Sequence, residues 1–122
     1  MQWNDLLSIS QIESIAENAE ISIIFKHSNR CGISSTALYR IESFKEKYSS
    51  LPYVFYFLDL VKHREISNDI AKRFEVEHQS PQILVIENGI CIYNVSHLNI
   101  KPSELYSFLT DRISLNLESL QN

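Results

Sequence analysis

Asn88-Gly89 lies between two short apolar runs, Gln82-Ile83-Leu84-Val85-Ile86 and Ile90-Cys91-Ile92-Tyr93. Asn-Gly supplies the positive φ angles that a tight hairpin turn needs, so these runs must be antiparallel neighbours in one sheet. Two earlier runs, Ile21-Ser22-Ile23-Ile24-Phe25 and Tyr53-Val54-Phe55-Tyr56-Phe57-Leu58, are joined through a stretch of helical periodicity instead. The second is aromatic and apolar throughout, as expected of a central strand covered on both faces. A terminal hairpin preceded by helix-linked strands gives an α/β chain with a mixed sheet of about four strands.

The helices follow from periodicity. Ser10-Gln11-Ile12-Glu13 reads as a capping box opening a short helix that runs to about Asn18. From Ser34 onward Ala37, Leu38, Ile41, Phe44 and Tyr48 recur at helical spacing until Leu51-Pro52 breaks the pattern. Glu65 to Phe74 turns Ile66, Ile70, Ala71 and Phe74 inward, after a loop from Asp59 to Arg64. Lys101-Pro102-Ser103-Glu104 starts a last helix, with Leu105, Phe108, Leu109, Ile113, Leu117 and Leu120 as its stripe. The order is helix, then β-α-β-α-β-β-α.

Cys31 falls where the first of these strands gives way to a helix, in Lys26-His27-Ser28-Asn29-Arg30-Cys31-Gly32-Ile33-Ser34. A cysteine there meets the positive end of the helix and its free N–H groups, which favour a thiolate over a thiol. Structural cysteines usually sit in apolar runs, as Cys91 does, and we expect Cys91 to be a small buried hydrophobe outside the site. Cys31, with polar and basic neighbours, is the expected nucleophile.

The 122 residues fit one domain, and with 2 Gly and 3 Pro no stretch reads as a linker or repeat. The formal net charge of -4 and the lack of a Lys/Arg run argue against a nucleic-acid partner. Met1-Gln2-Trp3-Asn4-Asp5 lacks the character of a signal peptide, and no apolar run is long enough to span a bilayer. We therefore expect a cytoplasmic protein without a membrane partner, whose 2 cysteines serve exchange or packing in place of a disulfide framework. No Cys/His pair has zinc-site spacing, so no metal is expected.

The element order resembles the thioredoxin fold. That resemblance implies that Ser80-Pro81, just ahead of Gln82, is a cis proline facing Cys31. A narrower resemblance covers nearly the whole chain. His63-Arg64-Glu65-Ile66-Ser67-Asn68-Asp69-Ile70-Ala71, His78-Gln79-Ser80-Pro81-Gln82 and Ser96-His97-Leu98-Asn99-Ile100, with Cys31-Gly32-Ile33-Ser34, are similar to the monothiol bacilliredoxin family of the bacillithiol redox system. The family's cysteine motif commonly reads Thr-Cys-Pro-Ile-Ser. Here Arg30 places a cation beside the thiol, and Gly32 loosens a turn that proline would hold.

The resemblance implies a thiol-disulfide oxidoreductase that removes bacillithiol, or a similar small thiol, from S-thiolated client proteins through Cys31. It needs no bound cofactor, and bacillithiol is its co-substrate. Exchange requires a second thiol for release, and Ser34 stands where a dithiol enzyme would carry one, so an external thiol must resolve Cys31. Ser34 could hydrogen-bond the thiolate or serve as a capping residue. Bacillithiol carries carboxylates, so its site should offer cations. Arg64 is the foremost candidate, with Arg30 beside it, while Lys26 reads as a solvated surface charge. Ser80 and Pro81 complete the expected substrate contacts. His78 belongs to the proline loop and His97 reads as a hydrogen-bonding residue after the hairpin, whereas His63 has no assignment. Two other classes compete: an iron-sulfur carrier, since Cys31-Gly32-Ile33-Ser34 is similar to the Cys-Gly-Phe-Ser of monothiol glutaredoxins, and a thioredoxin-like docking module without exchange.

Overall fold

The computed structural model describes residues 1–121, with side chains through Leu117. In chain order the elements are β1 (Trp3–Asp5), α1 (Ile9–Glu17), β2 (Ser22–His27), α2 (Gly32–Ser43), α3 (Lys45–Ser49), β3 (Val54–Asp59), α4 (Arg64–Arg73), β4 (Gln82–Glu87), β5 (Ile90–Ser96), a 3-10 turn over His97–Asn99, and α5 (Pro102–Gln121). The strands form one five-stranded sheet in the order β1-β3-β2-β4-β5. β3 runs parallel to β1 and β2, while β4 is antiparallel to both β2 and β5.

The hairpin forms as its turn residues require, with φ of 52° at Asn88 and 75° at Gly89. Glycine is doubly needed at 89, because a Cβ there would stand 2.7 Å from the Ala16 carbonyl oxygen. Each face of the sheet buries its own core. Ile23, Phe25, Phe55, Ile83 and Val85 pack on one side with Ala37 and Ile41 of α2, Tyr48 of α3 and Leu105 and Leu109 of α5. Ile24, Leu58, Leu84 and Ile86 pack on the other with Ile12 and Ile15 of α1 and Ile66 and Ile70 of α4. Strands alternate their side chains between the two faces, so β2 and β4, covered on both, are buried at every position.

Several sequence expectations need correction. The sheet has a fifth strand, because Trp3–Asp5 pairs along β3; Trp3 lays its ring 5.9 Å from Phe25 and 5.7 Å from Phe57. β3 is therefore second from the edge, and many of its side chains are only half-buried. The first helix is capped two residues earlier than expected, at Ser8, whose N–H donates to Gln11 Oε1 at 3.1 Å. The helix after Cys31 ends at Ser43 and restarts at Lys45, since Phe44 leaves helical geometry at ψ 6°. In α5 the buried stripe fades, with Leu117 54% exposed; Leu120 lies outside the described side chains. Among the described residues no helix is long and apolar enough to cross a membrane.

Candidate functional site

Because Lys26 pairs with Gln82 across β2 and β4, the chain leaving β2 toward Cys31 and the chain entering β4 from Pro81 emerge at the same end of adjacent strands. The Ser80-Pro81 bond is cis. Pro81 is buried, and its carbonyl accepts a 3.0 Å hydrogen bond from the N–H of His97, which ties the 3-10 turn to the proline loop. Cys31, proline loop and 3-10 turn thus share one end of the sheet.

Cys31 is the N-cap of α2, with φ -119° and ψ 117°, and it is half-exposed. Its carbonyl accepts from Ser34 and Ser35 N–H at 3.1 and 3.2 Å, and its own N–H donates to the Ser28 carbonyl at 3.2 Å. The N–H groups of Gly32 and Ile33 have no protein partner among the described residues, as the opening of a helix dictates. Cys31 therefore stands at a helix end with unpaired donors, where negative charge is favoured.

The Ser34 hydroxyl is not turned to the thiol as one sequence reading allowed. Ser34 is fully buried; its Oγ accepts from Ser28 N–H at 3.0 Å and lies 2.8 Å from His27 Nδ1. Burial holds the His27 imidazole below the ordinary histidine value against the raising pull of Asp59 and of Ser34. The Ser34 hydroxyl is thereby shared between Ser28 and His27. The serine thus braces the loop that carries Cys31. His27, which sequence reasoning passed over, stacks on Phe25 and lies 5.4 Å from the Phe57 ring. Its only sequence signal is its position at the end of an apolar strand.

Two clefts flank Cys31. One, of about 370 Å³, is lined by Ser28, Arg30, Leu60, Val61 and Arg64, and so brings Arg30 and Arg64 together as the sequence suggested. The other, of about 340 Å³, lies between the start of α2 and the 3-10 turn, with Ile33 43% and Leu98 69% exposed on its walls. His97 is held at φ 54°, a left-handed conformation costly for a residue with a Cβ. Ser80 is half-buried, and its hydroxyl oxygen is buried without a hydrogen-bond partner among the described residues.

Lys26 is no surface charge: it is wholly buried, on the α4 side of β2. Its Nζ lies 3.4 Å from His78 Nδ1, which also lies 3.1 Å from Ser67 Oγ. Burial, and then the Arg64 charge, push the lysine down to about 8. Burial followed by the charges of Lys26 and Arg64 lowers His78 as well. His63 caps α4 and faces Glu65 at 3.8 Å. Cys91 is half-buried on β5; burial raises its thiol, which donates to the Tyr93 carbonyl at 3.3 Å.

Comparison with known proteins agrees with this geometry. A solved structure with a thioredoxin fold is 32% identical, with TM-score 0.74, covering 84% of this chain and 89% of that one. Thioredoxins of Malassezia sympodialis (17% identity, TM-score 0.72, 90% of each chain) and Trypanosoma brucei brucei (19%, 0.71, 93% of this chain and 92% of that one) share the fold. The family model "Monothiol bacilliredoxin BrxC" matches residues 4–105. On that match the chain, a thioredoxin-like thiol redox protein, belongs to the monothiol bacilliredoxin family.

Proposed function

We propose that this protein removes bacillithiol, or a similar small anionic thiol, from S-thiolated cytoplasmic proteins by a monothiol mechanism. The Cys31 thiolate attacks the small-thiol sulfur of the client's mixed disulfide. That S–S bond breaks, the client cysteine leaves as a thiolate and takes a proton from water, and the small thiol remains on Cys31 through a new S–S bond. An external thiol then displaces it, so two electrons pass from that thiol to the client cysteine.

The observation that carries the monothiol reading is the position of Cys91. It pairs with Ile86, which pairs with Ser22, whereas the loop bearing Cys31 starts beyond Lys26 and Gln82. Four residues of strand separate those levels by roughly 13 Å at 3.3 Å per residue, and a disulfide needs Cα atoms within about 7 Å. No second thiol on this chain can reach Cys31.

Arg30 and Arg64 supply the charge that a carboxylate-bearing thiol calls for. The unpaired Ser80 hydroxyl and the free Gly32 and Ile33 N–H groups offer donors to the sulfurs or to substrate carbonyls. We assign the apolar cleft beside Ile33 and Leu98 to the client polypeptide. The test is transfer of bacillithiol from a loaded client: Cys31→Ser should abolish it and Cys91→Ser should leave it nearly intact. Transfer that survives Cys31→Ser overturns the proposal.

A further inference from the structure

Lys26 is used by nothing in that mechanism, and its surroundings are unusual for an ammonium group. The proline loop presents His78, which α4 holds through Ser67, one turn beyond Arg64 on the same helix. From β4 comes Gln82, whose side chain is spent on the Glu77 carbonyl and the Gln79 N–H. On the β3 side the partner is Leu58, and the Asp59 carboxylate that follows accepts from Val61 and Lys62 N–H at the end of the strand. Among the described residues no carboxylate comes within 4.0 Å of Lys26 Nζ. A buried cation normally sits with a counter-ion. Here the group within reach is a histidine, and the nearby charge of Arg64 has the same sign.

Arg64 belongs to both environments, since it lines the cleft beside Arg30 and its charge acts on Lys26 and His78. We infer that Lys26 is the rear member of the small-thiol site: an anion seated between Arg30 and Arg64 supplies the missing counter-charge and holds Lys26 in its charged form. Binding of the anionic thiol is then proton-linked, and Lys26 makes the cleft select anionic over neutral thiols. This rests on the reading of the Arg30–Arg64 cleft as the small-thiol site, and adds to it a residue, a charge requirement and a coupling.

The group is half-neutral near pH 8 in the free protein, so the anion must raise its proton occupancy most at and above that pH. Affinity should be nearly flat below pH 8 and then fall, approaching about tenfold per pH unit at most, the limit for one linked proton. His78 is depressed from 6.5 and titrates below this window.

The probe is S-methyl bacillithiol, which keeps the carboxylates and cannot exchange. Calorimetry at pH 8.5 in two buffers of different ionisation enthalpy counts the protons taken up. Wild-type protein should take up a substantial fraction of one proton more than Lys26→Met, whose cooperative melting confirms its fold. Arg64→Ala, a change at an exposed position, should also shrink the uptake, because its lysine is already more fully protonated at that pH. Equal proton counts for wild type and Lys26→Met overturn the inference and leave the cleft standing. Probe affinity unchanged in an Arg30→Ala/Arg64→Ala protein removes the cleft, and the inference with it.

Discussion

Replacing Gly32 by proline should stabilise the protein by about 0.4–1 kcal/mol, the usual gain when proline enters a position that already fits it. Three features of the site make it fit. Residue 32 opens α2, where the fixed φ of proline is pre-set for a helix. Its N–H, which proline would delete, has no protein partner. Cys31, at φ -119° and ψ 117°, already occupies the extended region that the ring imposes on the preceding residue. There is also room, since a Cβ at 32 meets nothing within 4 Å. The stabilisation arises in the unfolded chain, which loses the freedom of glycine. It corresponds to roughly 2–5 °C in melting temperature for a domain of this length. Urea and thermal melts of the reduced proteins test it. A loss of about 1 kcal/mol or more in Gly32→Pro would mean that the Gly32 backbone or its N–H is used by the fold, refuting this account of the turn.

The buried Lys26 should leave a pH signature on stability. Its folded-state value of about 8 lies below the ordinary 10.5, so the unfolded chain holds the proton in between. Wild-type stability relative to Lys26→Met should therefore be lowest and flat below pH 8 and rise by up to about 3 kcal/mol toward pH 10.5; urea midpoints at pH 7 and 10 check it, and a constant difference would contradict the buried placement. At the opposite end of the sheet Arg112 pairs with Glu87, with Nε 3.1 Å from Oε1, and this hydrogen bond holds the Glu87 carboxyl below its usual range, helped by Asn116. Arg112→Met should cost about 1–2 kcal/mol at pH 7. That cost should shrink as pH falls through the depressed carboxyl value, and an effect independent of pH would show that the pair contributes packing alone.

The element order and the placing of Cys31 were legible because each rests on a local rule: apolar period for the strands, Asn88-Gly89 for the turn, strand-to-helix transition for Cys31; the cis bond at Ser80-Pro81 followed instead from the resemblance to the thioredoxin fold. Trp3–Asp5 was not legible, because three residues without alternation carry no strand signal; they become a strand only by finding the free edge of β3 and the rings of Phe25 and Phe57. Lys26 misled for a related reason. Lysine is almost never fully buried without a partner, so a lysine at a strand end reads as solvated. What buries this one is α4 and the His78 loop, distant in sequence. Ser34 shows the same limit, since its place where a dithiol enzyme carries the resolving thiol was visible, but its engagement with His27 depends on how β2 ends.

The central claim is that Cys31 takes the small thiol itself, and the intact mass of the Cys91→Ser protein tests it most directly. After mixing with a bacillithiolated client, without external thiol, it should gain the mass of one bacillithiol, on Cys31 alone, while the client loses the same mass. A covalent complex with the client as the accumulating species, or a client that keeps its bacillithiol, would contradict the account.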